Sequence, residues 1–153
     1  MKQNYKMVQS KEEYRAQGAK NRRNGGIFER KVRDEMRDKG WIVDHFTNNI
    51  DLDNNKIITA KSNQWNSRTT GFPDFVMFKP HIYSAMGKTG EPLVYDLIFV
   101  ECKCNGILSK KEKLKMEFLR KQGHKCFVAY KDETGKKILY RELLEYKEQK
   151  KVC

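Results

Sequence analysis

The chain has few residues of the kinds that staple, kink or anchor a protein: three prolines, four cysteines and three histidines in 153 positions. No two cysteines form a Cys-x-x-Cys pair, and His45, His81 and His124 are scattered, so the spacing of a structural zinc site is missing. Cys102, Cys104 and Cys126 sit in apolar, strand-like runs and read as small buried hydrophobes in a reducing compartment. No apolar run approaches the ~20 residues of a membrane span, and the first residues, Met1 to Lys6, lack the apolar core of a signal peptide. A cytoplasmic protein with no membrane partner is expected. Thr47 to Asn55 carries Asp51 and Asp53 but neither the sixth-position glycine nor the closing glutamate of a calcium loop. Acidic charge is also short, 20 residues against 32 basic ones, and the net charge of +12 points to a polyanionic partner, most simply nucleic acid.

What is present suffices for one domain with a core. Residues 1–24 are polar and basic and read as an arm or an exposed helix, with Ser10 placed to cap Glu12 and Glu13. Gly25-Gly26 is expected to break the chain. Ile27 to Lys39 then reads as a helix whose apolar stripe is Phe28, Val32 and Met36, ended by Gly40. Strands are expected at Trp41 to Phe46, Lys56 to Ala60, Phe75 to Phe78, Val94 to Cys104 and Lys125 to Tyr130, with Thr47 to Asn55 as a turn-rich loop. Ser109 caps a helix to about Gln122, with Leu114, Phe118 and Leu119 inward and Lys110, Lys111, Lys113 and Lys115 largely outward. Strand, helix, strand in that order implies a parallel crossover. A terminal helix is expected from Arg141 to about Gln149, and a frayed tail over 147–153. The fold class is therefore mixed α/β, with one domain over 25–146.

The stretch that carries chemistry is Val94 to Cys104. It begins as a buried strand and ends in Glu101 and Lys103, which share a face roughly 7 Å apart along the chain. Glu-x-Lys also occurs at Glu29, Glu145 and Glu148, but there it lies on helices, where residues two apart do not share a face. An acid is needed nearby. Asp96 falls on the opposite face, whereas Asp74, at the mouth of the preceding strand, lies beside Glu101 if the two strands are antiparallel. Two carboxylates and a lysine at the end of a core strand suit metal-assisted attack on a phosphate. A buried ion-pair network without catalysis is the competing reading, and such networks contribute little to stability.

Gly26-Ile27-Phe28-Glu29-Arg30, then Gly71-Phe72-Pro73-Asp74, then Val100-Glu101-Cys102-Lys103, then strand-helix-strand, together resemble the PD-(D/E)XK nuclease superfamily over residues 25–130. The first helix with its Gly40-Trp41 exit is similar to archaeal-type Holliday junction resolvases. Gly71 to Asp74, the Glu-Cys-Lys segment and Gly106 to Ser109 are similar to the VRR-NUC nuclease domain, which usually has glutamine where this chain has Glu112.

The resemblance implies a restriction-endonuclease-like domain, a central mixed sheet flanked by helices. It implies Mg²⁺, or Mn²⁺, on Asp74, Glu101 and the Cys102 carbonyl, with Lys103 at the water or the phosphoryl oxygens and Glu29 completing the acidic cluster. Glu112 is either within reach of the site or, the preferred reading, a solvated helix residue. Arg22, Arg23, Arg30, Arg33, Ser67, Arg68, Lys110 and Lys111 are the expected DNA contacts. The implied activity is that of an endonuclease resolving four-way DNA junctions as a homodimer, since two symmetric cuts need two sites related by a two-fold axis. A VRR-NUC-type repair or flap nuclease, a sequence-reading restriction-type enzyme and a non-catalytic nucleic-acid-binding module are the alternatives.

Overall fold

A computed structural model describes residues 10–59, 71–80 and 95–144. Helix α1 (Lys11–Asp38) leads into strand β1 (Ile42–His45), the hairpin β2 (Asn48–Asp51) and β3 (Lys56–Thr59), and strands β4 (Phe75–Pro80) and β5 (Tyr95–Cys102). Helix α2 (Lys110–Lys121) and strands β6 (Lys125–Lys131) and β7 (Ile138–Glu142) complete it. The main sheet has the order β1-β4-β5-β6-β7. Only the β5–β6 pair is parallel, as the α2 crossover requires; the other pairs are antiparallel. Among the described residues no helix is long and apolar enough to cross a membrane.

The two faces of the sheet are buried by different helices. Alternation sends Ile98 and Val100 of β5, with Phe75 and Met77 of β4, toward Phe28, Val32 and Met36 of α1. It sends Phe99 and Val128 toward Met116 and Leu119 of α2, where Ile50 of the hairpin joins them. The α1 stripe is thus the one expected, and Gly40, at φ 81°, turns the chain out of it into β1.

Five expectations are corrected. Gly25-Gly26 does not break the chain: α1 runs unbroken through both, 28 residues from Ser10, whose hydroxyl and the Glu13 carboxylate form a capping box. Two glycines cost a helix about 1 kcal/mol each, which the capped basic segment before them and the buried stripe after them outweigh. The loop read over Thr47 to Asn55 contains β2, because its turn residues Asp51 to Asn55 close a hairpin with β3 in which Ile50 is buried. The expected terminal helix begins as strand: Arg141 and Glu142 belong to β7, paired with β6 across a turn in which Asp132 Oδ1 accepts the N–H groups of Lys136 and Lys137. The alternation Ile138, Tyr140 buries a strand face against the α1 cluster; the rest of that expected helix, from 145 on, lies outside the described residues. On α2, Leu114 is half exposed while Lys115 is buried. Cys104, expected inside, is exposed; Cys126 is buried and Cys102 half-buried.

Candidate active site

The β4–β5 register pairs Phe75 with Val100, and one step further sets Asp74 opposite Glu101. Two hydrogen bonds close that step. The Asp74 N–H donates to Glu101 Oε2 at 3.2 Å, and the Cys102 N–H donates to Asp74 Oδ2 at 2.8 Å. The segment before Asp74 is fixed against β1 and β2: Phe46 N–H donates to the Asp74 carbonyl, and Phe72 N–H to the Asn48 carbonyl. Gly71 passes so close that a Cβ there would lie 1.5 Å from the Phe46 carbonyl oxygen. The Phe72-Pro73 peptide bond is cis.

Glu101 is 3% exposed and stands on the α2 face of the sheet, in line with Phe99. Lys103 follows it, with Nζ 2.9 Å from Glu101 Oε1 and 2.7 Å from Glu112 Oε1. The other Glu112 oxygen accepts the Ser109 N–H at 2.7 Å, in the capping box that starts α2. One carboxylate therefore begins the helix and holds the lysine. Glu112, preferred as a solvated residue in the sequence, belongs to the site. The signal was its third position after Ser109, which ties it to the helix end nearest Lys103.

The electrostatics follow from crowding. Burial, together with the Glu29 charge, pushes Asp74 up to about 6, against the opposing Cys102 hydrogen bond. Burial and the neighbouring Asp74 push Glu101 up to about 8, against the opposing Lys103. At Lys103 burial disfavours the ammonium, but Glu112 and Glu101 outweigh it and raise its proton affinity above the ordinary lysine value. Lys103 is thus a fixed cation at neutral pH and not a base. At Glu112 burial is outweighed by the bonds to Lys103 and Ser109, which hold its carboxyl below the usual range. The Cys102 thiol is pushed far up by burial and by Asp74, which rules it out as a nucleophile at neutral pH.

Of the expected tetrad, Asp74, Glu101 and Lys103 come together. Glu29 does not join them by contact. It lies half-buried on α1, against the opposite face of the sheet, and acts on Asp74 through its charge, with no hydrogen bond or ion pair among the described residues. Among the described residues no three His, Cys, Asp or Glu side chains are grouped to hold a metal ion. The side chains that could hold a cation are therefore the two carboxylates of Asp74 and Glu101, with the Cys102 backbone carbonyl the third ligand expected from the sequence. That set fits a hard divalent ion, which takes oxygen ligands, and the half-buried Asp74 and buried Glu101 crowd two carboxylates where a cation would relieve their repulsion.

Arg22, Arg23 and Arg30 are exposed along α1, Lys110 and Lys111 are exposed at the start of α2, and Arg33 is half-buried and paired with Asp34 at 3.0 Å. Ser67 and Arg68 lie outside the described residues. Comparison of the chain with protein-family models, with curated proteins and with solved structures found no match to any of them.

Proposed function

We propose that the chain is a divalent-metal-dependent endonuclease that hydrolyses phosphodiester bonds in DNA, with branched four-way junctions as its substrate and a homodimer as its working form. The observation that carries this reading is the Asp74–Glu101 pair at the end of β4 and β5, with the Lys103 ammonium held against Glu101. Asp74, Glu101 and the Cys102 carbonyl would hold Mg²⁺ or Mn²⁺. When bound, such an ion would polarise a phosphoryl oxygen and acidify a water.

The chain's own groups do the rest. The Glu101 carboxylate is fixed by the Asp74 N–H and the Asp74 carboxylate by the Cys102 N–H, so their oxygens are aimed before substrate arrives. Lys103, anchored from two sides, presents a localised positive charge where charge grows on the phosphoryl oxygens. Glu112 is a positioning residue that sets the lysine's direction. Glu29 adds negative charge on the far side of Asp74 and favours retention of a cation there. The net charge of +12 supplies the long-range attraction for a polyanion.

A second reading is favoured by one observation: Lys103 is bound by two carboxylates, and the described residues contain no three-acid cluster. On that reading the domain binds nucleic acid without cutting it. The test is incubation of labelled four-way junctions, flaps, nicked and linear duplexes with Mg²⁺, using wild type, Asp74→Asn and Lys103→Ala. Junction cleavage by wild type, reduced about 10²-fold or more in both variants, is the expected result. Equal failure of all three on every substrate would leave the binding module. Preferential cutting of flaps would make it a repair nuclease, and equal cutting of linear duplex would remove the junction label.

A further inference from the structure

Among the described lysines of α2, Lys110, Lys111, Lys113 and Lys121 are exposed, whereas Lys115 is 9% exposed. Its Nζ lies over the Phe72 ring, 5.1 Å from its centre, and donates to Asn49 Oδ1 on β2. Asn49 Oδ1 also accepts the Ile50 N–H. Both neighbours of the ammonium are neutral. A buried cation without an anion is costly. Glu101 and Glu112 act on Lys115 through their charge, but both already hold Lys103. Lys111 opposes it, and burial is the largest influence, holding its proton affinity below the ordinary lysine value. An ammonium has three N–H donors, and one acceptor is recorded for this one among the described residues.

These donors border a groove of about 550 Å³ between the β2–β3 hairpin and the first turns of α2. Lys110, Lys111 and Lys115 line it from the helix, and Asp51 and Asp53 from the hairpin. Asp51 is engaged by the hairpin turn, where its oxygens accept from the Asp53 and Asn54 backbone and the Asn54 side chain. The groove adjoins the site already described, since Lys115 stands three residues after Glu112 on one helix face, a rise of about 4.5 Å.

We propose that this groove takes a phosphodiester of the DNA strand lying in the Asp74–Glu101 site, with Lys115 as its buried contact and Lys110 and Lys111 at its rim. The anion supplies the counter-charge that Lys115 lacks. The identity of the polyanion rests on the nuclease reading; the groove's need for an anion does not.

The test is binding of fluorescein-labelled junction and duplex DNA across a salt series in EDTA, by anisotropy, for wild type, Lys115→Met and Lys115→Arg, with thermal melts of each. Lys115→Met should weaken binding roughly tenfold on every sequence and lower the salt slope by about 1. Its melting temperature should hold or rise, because Met keeps the stem and removes an unpaired buried charge. Lys115→Arg should restore most of the affinity. Wild-type affinity and slope in Lys115→Met, or a loss that merely follows a lowered melting temperature, would overturn the groove assignment while leaving the nuclease reading intact. Lys115-dependent binding by a protein that cuts no DNA would support the groove and defeat the nuclease. No DNA binding by wild type would defeat both.

Discussion

Asp74 and Glu101 are 27 residues apart in the chain and hydrogen-bonded across two strands, each carboxylate taking the other strand's backbone N–H. Their ordinary values lie near 3.8 and 4.5, and the folded protein raises them to about 6 and about 8. The folded state therefore binds more protons than the unfolded one between those limits. Stability falls as pH rises from about 4 to about 8, the reverse of an ordinary salt-bridged acid. In EDTA the melting temperature should drop between about pH 5 and pH 8, and Asp74→Asn should flatten the drop and raise the melting temperature at the alkaline end. A wild-type profile that is flat or rises over this range would contradict the geometry. Mg²⁺ should raise the melting temperature most at the alkaline end, where both carboxylates are free of protons, and this readout does not depend on cleavage. The pairing of these two acids was legible in the sequence because period-2 alternation and an antiparallel connection leave them one place to go. Lys115 was not: lysine repeats surround it, and nothing local marks which one the hairpin covers.

At the scale of elements, two glycines make opposite predictions. Gly26 lies inside α1 with nothing within 4 Å of a would-be Cβ. Gly26→Ala should raise stability by about 0.5–1 kcal/mol in a denaturant titration, through the smaller entropy loss of alanine in a helix. A destabilised Gly26→Ala would mean that α1 is not continuous there. Gly71→Ala places a Cβ on backbone, 1.5 Å from Phe46 O and 2.9 Å from Asn48 O, with no flexible side chain to yield. It should cost about 3 kcal/mol or more and displace Asp74, three residues on. Circular dichroism melts of the two variants would show the contrast directly. The helix stripe, the α2 cap and the β4–β5 pair were readable from local signals. The β6–β7 hairpin and β2 were not, because a short strand gains its stability from the neighbour it pairs with rather than from its own residues.

The whole molecule is a basic body with a long helix beside the candidate site. At about 100° per residue, Lys11, Arg15 and Arg22 fall within about 40° of Glu29 around α1. A cationic line therefore leads along the helix toward Asp74. Neutralising two of its members, Arg15→Gln with Arg22→Gln, should lower the salt slope of DNA binding by about 2 and leave the melting temperature nearly unchanged, since both side chains are exposed. An unchanged slope in anisotropy titrations would remove α1 from the DNA-binding surface.

The sequence by itself determined the charge, the helix caps, the burial stripe of α1 and the strand that ends in Glu101 and Lys103. These are local, set by residue type and by periods of 3.6 and 2. Only the tertiary structure decided which face of the sheet the acids occupy, that Glu112 anchors Lys103, that Glu29 acts from the far side through charge alone, and that Lys115 is enclosed beneath the hairpin. Each of these depends on which element covers a residue from outside its own segment, and no local period carries that information.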